Sequence, residues 1–125
     1  MFKIIILSKR KAGISMQEFR DYYETRHAVL APSLTPLVRG YVRHYLTPLE
    51  SPLHPNAAEP SVDCVTEVWW DNERDFREAM KVIADPSLAA TISEDEEQFA
   101  DRSSIRWFRA ADAESALNQR TTEAR

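Results

Sequence analysis

Two stretches of this chain carry apolar side chains at both alternating parities, and that limits the folds open to it. In Phe2 to Ser8 the run Ile4, Ile5, Ile6, Leu7 leaves no polar face, and Val62 to Trp70 (VDCVTEVWW) becomes two-sided towards its end. Successive side chains of a strand point to opposite faces, so a strand apolar at both parities has to be covered on both. Both segments therefore belong in the middle of a sheet. Val38 to Leu46 (VRGYVRHYL) mixes β-branched and aromatic residues with Arg39, Arg43 and His44, the composition of an edge strand. Ser104 to Arg109 (SIRWFR) reads as the closing strand.

Between the first two strands, SMQEFRDYYETRHAVLAP (Ser15 to Pro32) reads as one amphipathic helix. Ser15 and Glu18 have the spacing of a capping box, and Ile14 with Phe19 that of a hydrophobic staple. Met16, Phe19, Tyr23, Arg26/His27 and Leu30 recur at steps of three and four and share one face. Pro32 and Pro36 are expected to stop the helix, leaving His27 about one turn from its end. Asp71-Asn72 caps a second helix with the stripe Phe76, Ala79/Met80, Ile83. Asp85-Pro86 starts a short third one. Ser93 and Glu96 read as a further capping box, with Glu94 to Glu97 as a solvated first turn favoured by the helix dipole. Thr47 to Ser61, with four prolines and no periodicity, is either a lid or a linker.

The order β-α-β-β-α-β is the split βαβ of ferredoxin-like α+β domains, with the first and third strands central in a four-stranded antiparallel sheet. Both main helices then cover one face. The other exposes Ile5, Leu7, Val65 and Trp69, a patch too apolar for a monomer, which a second copy would cover about a twofold axis. The expected architecture is a dimeric α+β barrel, built from a domain at 1–111 with a polar tail at 112–125.

Composition excludes several classes. A chain of 125 residues is one domain. Its net charge of −4 argues against a nucleic-acid or anionic-membrane partner, and no apolar run approaches a membrane span. MFKIIILSKRK has too short an apolar core for a leader and is read as a strand. A single cysteine, Cys64, allows no internal disulfide, and a cytoplasmic location is expected. The only glycines are Gly13 and Gly40, so there is no phosphate-cradling loop, and no HxH or HExxH spacing supports a metal. No cofactor is expected.

FKIIILSKRKAGISMQEFRDYYETRHAVLAP, then RGYVRHY, VDCVTEVWWDNERDF and ISEDEEQFAD before the closing strand, resemble EthD-domain proteins over roughly residues 2–110. That family is similar to dimeric α+β barrels such as muconolactone isomerases, 4-methylmuconolactone methylisomerase, and polyketide dehydratases and decarboxylases. It also has members linked to ether degradation. The resemblance implies the barrel fold and a homodimer through the sheet face. It also implies a cofactor-independent lyase, isomerase or dehydratase acting on a small aromatic, lactone or polyketide-like substrate. The alternatives are a monooxygenase on the same barrel, or a non-catalytic ligand-binding or accessory protein of a catabolic pathway. Cys64, where the family often has a small residue, and the long Pro-rich loop are departures that bear on the pocket's shape.

Within that frame His27 is the first candidate for acid–base work, since imidazole exchanges protons near neutral pH; the alternative is a helix-terminal cap. Tyr41, placed on the inner face by the family register, either orients a substrate oxygen or packs. Glu67, between Val65 and Trp69, is either a buried acid–base group with a raised pKa or the partner of Arg43, Arg106 or Arg109. His54 either closes over the mouth or is a solvated loop residue. Trp69, Arg43, Val65, Ile5 and Leu7 are the candidate substrate wall, Trp69 alternatively being a core or dimer contact. His44 is expected to face the first helix as a structural histidine. Cys64 is expected to pack inertly towards the helices.

Overall fold

The computed structural model describes residues 1–56 and 58–117. The two double-sided strands, β1 (Phe2–Arg10) and β3 (Cys64–Trp70), lie side by side in the centre of an antiparallel sheet. β2 (Gly40–Tyr45) forms the edge beside β3, and β4 (Ala100–Ala110) the edge beside β1. This is the ferredoxin-like α+β order expected from the pattern. Cross-strand partners share a face. The pairs Ile4↔Val68, Tyr41↔Val68 and Ile6↔Trp107 therefore look towards the helices, and Ile5↔Glu67, Val42↔Glu67 and Ile5↔Phe108 look away.

The helical layer consists of α1 (Met16–Tyr22), a π turn (Tyr23–His27), α2 (Ala28–Leu34), α3 (Glu73–Ile83) and α4 (Pro86–Glu96). The capping box at α1 is present: Ser15 Oγ accepts from the Glu18 amide at 3.1 Å, and Glu18 Oε1 accepts from the Ser15 amide at 3.0 Å. Asn72 caps α3, and Asp85, with Pro86 behind it, caps α4. The single helix expected over Ser15 to Pro32 is instead divided by the π turn and does not stop at Pro32. The proline sits inside α2, and the last turn is held by side chains, Ser33 Oγ donating to Leu30 O and Thr35 Oγ1 to Ala31 O. Trp70 Nε1 then donates to Pro36 O at 3.1 Å, fixing the turn in which Leu37 takes a φ of 65°. Ser93 and Glu96 form no capping box, because α4 runs through them. Glu94 to Glu96 end that helix rather than begin one.

His44 does not face the first helix. It lies opposite Val65 on the uncovered side of the sheet, with its side chain 49% exposed. Each parity of β2 sets a basic residue beside apolar or aromatic ones, Arg43 with Tyr41 and Tyr45 and His44 with Val42, so alternation alone does not assign its faces. On the same side the Trp69 indole lies over Gly40, where a Cβ would come within 2.0 Å of the ring; only glycine permits that approach.

Two apolar clusters fill the space between sheet and helices. One joins Phe2, Ile4, Val68, Trp70 and Ala79, with Phe2 and Phe76 stacked at 4.4 Å between ring centroids. The other joins Phe19, Tyr23, Cys64, Phe99 and Ala100. Cys64 packs as expected, and burial pushes its thiol up to about 11. Residues 111–117, beyond β4, are exposed and form neither helix nor strand, and Asp112 reaches back to Lys3 at 2.9 Å. The rest of the expected tail, 118–125, lies outside the described residues.

Candidate functional site

The two core clusters do not meet everywhere. Ile4, Val68 and Trp70 of one, and Tyr23, Phe99 and Ala100 of the other, wall a cavity of about 80 Å³ between sheet and helices. That is room for several waters or one small organic group, since a water needs roughly 10–15 Å³. The cavity shares the wall residues Ile83, Ile92, Glu96, Ile105 and Trp107 with a wider groove of about 320 Å³ between α4 and β4. Its lining is apolar except for a few groups, the pattern of small-molecule sites.

His27 is among those groups. It ends the π turn, is 7% exposed, and lines the cavity. Its Nδ1 lies 2.8 Å from Asp95 Oδ2, and Asp95 Oδ1 accepts from Tyr22 Oη at 2.7 Å. A carboxylate receiving Nδ1–H fixes the tautomer with Nε2 as the free acceptor, and among the described residues Nε2 has no hydrogen-bond partner. The π turn contributes to this placement, because an inserted residue rotates the helical face beyond it; such bulges gather at functional sites. Tyr22 is held above its ordinary pKa by burial and by its bond to Asp95, so the phenol remains a donor.

Glu96, the next residue of α4, also faces the cavity. Burial pushes its carboxyl up, against the pull of His27 and of Arg102, whose Nε lies 3.4 Å from Oε1. On the sheet side Tyr41 Oη lies 3.4 Å from Tyr23 Oη, which bonds Thr66 Oγ1 at 2.7 Å. Burial moves Tyr41 up to about 12 and Tyr23 well above its usual value, so both stay protonated.

Of the candidates read from sequence, only His27 and Tyr41 share this cavity. Asp95 and Glu96 were missed, because Glu94 to Glu97 reads as a solvated first turn. The signal was present: extending the helix that starts at Pro86 puts Leu88, Ile92, Asp95/Glu96 and Phe99 on one face.

Arg43 looks towards the helices, but its guanidinium is engaged. Nε and Nη2 donate to Glu24 at 2.9 and 2.8 Å, and Nη1 donates to Tyr41 O. Tyr45 Oη also donates to Glu24. The Arg43 bonds outweigh burial and hold the Glu24 carboxyl at about 2, below its ordinary 4.5. A depressed folded-state pKa stabilises above the unfolded value, and that stability is lost as pH falls through the folded one. With Glu24 37% exposed, the pair's worth is screened to about 1 kcal/mol. Glu24→Gln is therefore expected to lower stability by about that amount at pH 7 in urea titrations, the gap closing between pH 4.5 and 2. An equal gap at both ends would dismiss the ion pair as its source.

Glu67, Trp69, Val65, Ile5 and Leu7 lie on the opposite side of the sheet and do not line the cavity. Glu67 bonds Lys3 Nζ at 3.0 Å and His44 Nε2 at 2.5 Å, and these bonds, His44 first, lower its pKa. The raised pKa expected from burial is thus corrected, and so are the expected arginine partners. Arg43 serves Glu24, Arg109 serves Glu73, and Arg106 binds the carbonyls of Ser103 and Ile105. The tryptophans of the cavity wall are Trp70 and Trp107, not Trp69. His54 is exposed in the Pro-rich loop, bonded to Ser51, and lines no part of the cavity.

The sequence matches the family model of the EthD domain over residues 11–103. Among curated proteins none matches. Solved structures share the fold. An ethyl tert-butyl ether d (ethd) family protein from Bacillus halodurans is 18% identical with a TM-score of 0.61, covering 90% of this chain and 100% of that one. A protein from Arabidopsis thaliana is 13% identical at a TM-score of 0.59 (94% and 100% covered), and HapK from Hahella chejuensis is 14% identical at 0.58 (94% and 98%).

Proposed function

The chain belongs to the EthD domain family, and from the chemistry of its cavity we propose that it is a proton-transferring enzyme, a lyase, isomerase or dehydratase. Its substrate would be a small, largely apolar molecule of the aromatic, lactone or polyketide-like class. One observation carries this reading. His27, on the wall of an apolar cavity, is anchored through Nδ1 to Asp95, while Nε2 has no partner among the described residues. A base held in this way takes a proton at Nε2. Asp95 keeps the tautomer and stabilises the imidazolium, and Tyr22 steadies Asp95 from its other oxygen. Glu96, raised by burial, is the second titrating group and can return the proton; Tyr41 offers its phenol as a hydrogen-bond donor. The working form is proposed to be a homodimer through the uncovered sheet face, supported by the apolar side chains there.

The test does not need the natural substrate. Aryl ketones, unsaturated lactones and linear polyketones are incubated with the protein in D₂O, and loss of the carbon-bound proton signal beside the carbonyl is followed by NMR. Exchange with at least one class, abolished by His27→Gln, is the expected result. Binding of the same compounds without exchange or turnover would identify a ligand-binding protein instead.

A further inference from the structure

Ser8 is a polar residue of the cavity that the chemistry above does not use. The residues before it on the inner face of β1 are Phe2, Ile4 and Ile6, and alternation alone would make the next position apolar. Ser8 is 5% exposed, lines the cavity with His27 and Glu96, and its Oγ has no hydrogen-bond partner among the described residues. A buried hydroxyl left without a partner is destabilising compared with an apolar group of the same shape. Its presence calls for a partner that the described residues do not supply.

The backbone around it points the same way. Pairing between β1 and β4 passes from Leu7↔Arg106 to Lys9↔Asp101, so residues 102–105 stand opposite the single residue Ser8. This bulge is fastened by Lys9 N donating to Ser104 Oγ at 2.9 Å and by Ser104 Oγ donating to Asp101 O. Bulges of this kind re-aim side chains beside functional sites. Two of the bulged residues, Arg102 and Ile105, line the wider groove beside the cavity, and Ile105 lines both.

We propose that Ser8 Oγ is the docking point for a carbonyl oxygen of the substrate, which makes it a specificity-determining residue for neutral ketones, lactones and related acyl compounds. A hydroxyl among apolar walls suits a neutral acceptor, because an ion buried there would lose its hydration without a counter-charge beside Ser8 to replace it. This role for Ser8 deepens the proton-transfer reading and rests on it for the steps after binding. His27 Nε2 removes a proton from the carbon beside the carbonyl. The electron pair of that C–H bond passes into the enolate, whose oxygen takes the Ser8 hydrogen bond. The proton on His27 then returns to another carbon of the same molecule, giving an isomer, or leaves with a hydroxyl as water.

The experiment measures dissociation constants of 4-fluoroacetophenone and 1-ethyl-4-fluorobenzene by fluorine NMR. The two probes differ in the carbonyl. Ser8→Ala is expected to weaken the ketone about fivefold to tenfold, the worth of one hydrogen bond, and to leave the hydrocarbon unchanged. Ser8→Cys, a weak donor, should fall between, and carries the comparison if Ser8→Ala does not fold. His27→Gln should keep the wild-type ratio of the two constants. Equal effects of Ser8→Ala on both probes, no effect on either, or a wild-type protein that binds neither would overturn the proposal. So would a ratio that changes in His27→Gln and not at Ser8. An intact Ser8-dependent ratio without deuterium exchange would sink the proton-transfer reading alone.

Discussion

Asp95→Asn is expected to lower kcat by about 10²–10³ and His27→Gln by about 10²–10⁴, the usual worth of a positioned general base and its support. Asp95 accepts from both His27 Nδ1 and Tyr22 Oη. Asn in its place offers one acceptor oxygen and one donor nitrogen. If the nitrogen turns towards His27, Nδ1 becomes the acceptor and the proton moves to Nε2, so the imidazole faces the cavity as a donor and cannot take a proton. If the oxygen stays with His27, the tautomer survives but the imidazolium formed on reaction loses its counter-charge. Either outcome damages kcat more than KM, because the loss falls on the transition state. A purely structural pair would behave otherwise. Removing it would cost about 1–3 kcal/mol of stability, from a buried charge-assisted hydrogen bond, and would leave the pH profile of the remaining activity unchanged. Melting curves and pH–rate profiles on the same variants therefore separate the two roles. One limb of the wild-type profile should be missing in His27→Gln. A fully active His27→Gln with the wild-type profile would remove it from the reaction and leave Glu96 as the base.

The frame of the fold was legible because it rests on patterns that burial enforces. Ile4 to Leu7 could only be central, and Ser15 with Glu18, Asn72, and Asp85-Pro86 marked helix starts that the backbone obeys. The site was less legible, for physical reasons specific to each residue. Ser93 and Glu96 have capping-box spacing, yet Asp85 is the better cap, and one continuous helix satisfies more amides than two short ones. That turned Glu94 to Glu97 from a solvated start into the end of α4, with Asp95 and Glu96 inward. The helix dipole disfavours carboxylates there; His27 and Tyr22 hold Asp95, while Arg102 holds Glu96. Glu67, with apolar neighbours along its strand, reads equally as a buried acid or as the partner of Arg43, Arg106 or Arg109. What decides its ionisation lies across the strands, in Lys3 and His44, which no local window shows. Tyr41 was placed correctly by register, but its companion Tyr23 was read only as core. That Ser8 has no partner among the described residues is invisible from sequence, where it is one serine at a strand's end.

In solution the protein is expected to scatter light as a species of twice 14.4 kDa at micromolar concentration. The uncovered sheet face carries Ile5, Leu7, Val65 and Trp69, with Val42 38% and Phe108 53% exposed. A sheet face of this kind is covered in stable domains, and a twofold partner presents the same patch to it. The Glu67 carboxylate on this face does not forbid that. Glu67 already receives Lys3 and His44, so it would enter an interface with its hydrogen bonds made rather than as a bare charge. Phe108 is the sharpest probe because it is the most exposed large aromatic of the patch and lies outside the cavity. Each twofold interface holds two copies of any substitution. If Phe108→Glu loses about 2 kcal/mol per copy, the dimer loses about 4 and its dissociation constant rises roughly a thousandfold. The variant should then scatter as a 14.4 kDa monomer while its far-ultraviolet dichroism stays that of the wild type. Phe108→Leu, which keeps the apolar contact, should remain dimeric. A wild-type protein that is monomeric at micromolar concentration, or a Phe108→Glu that is as dimeric as the wild type, would exclude this face as the contact between copies.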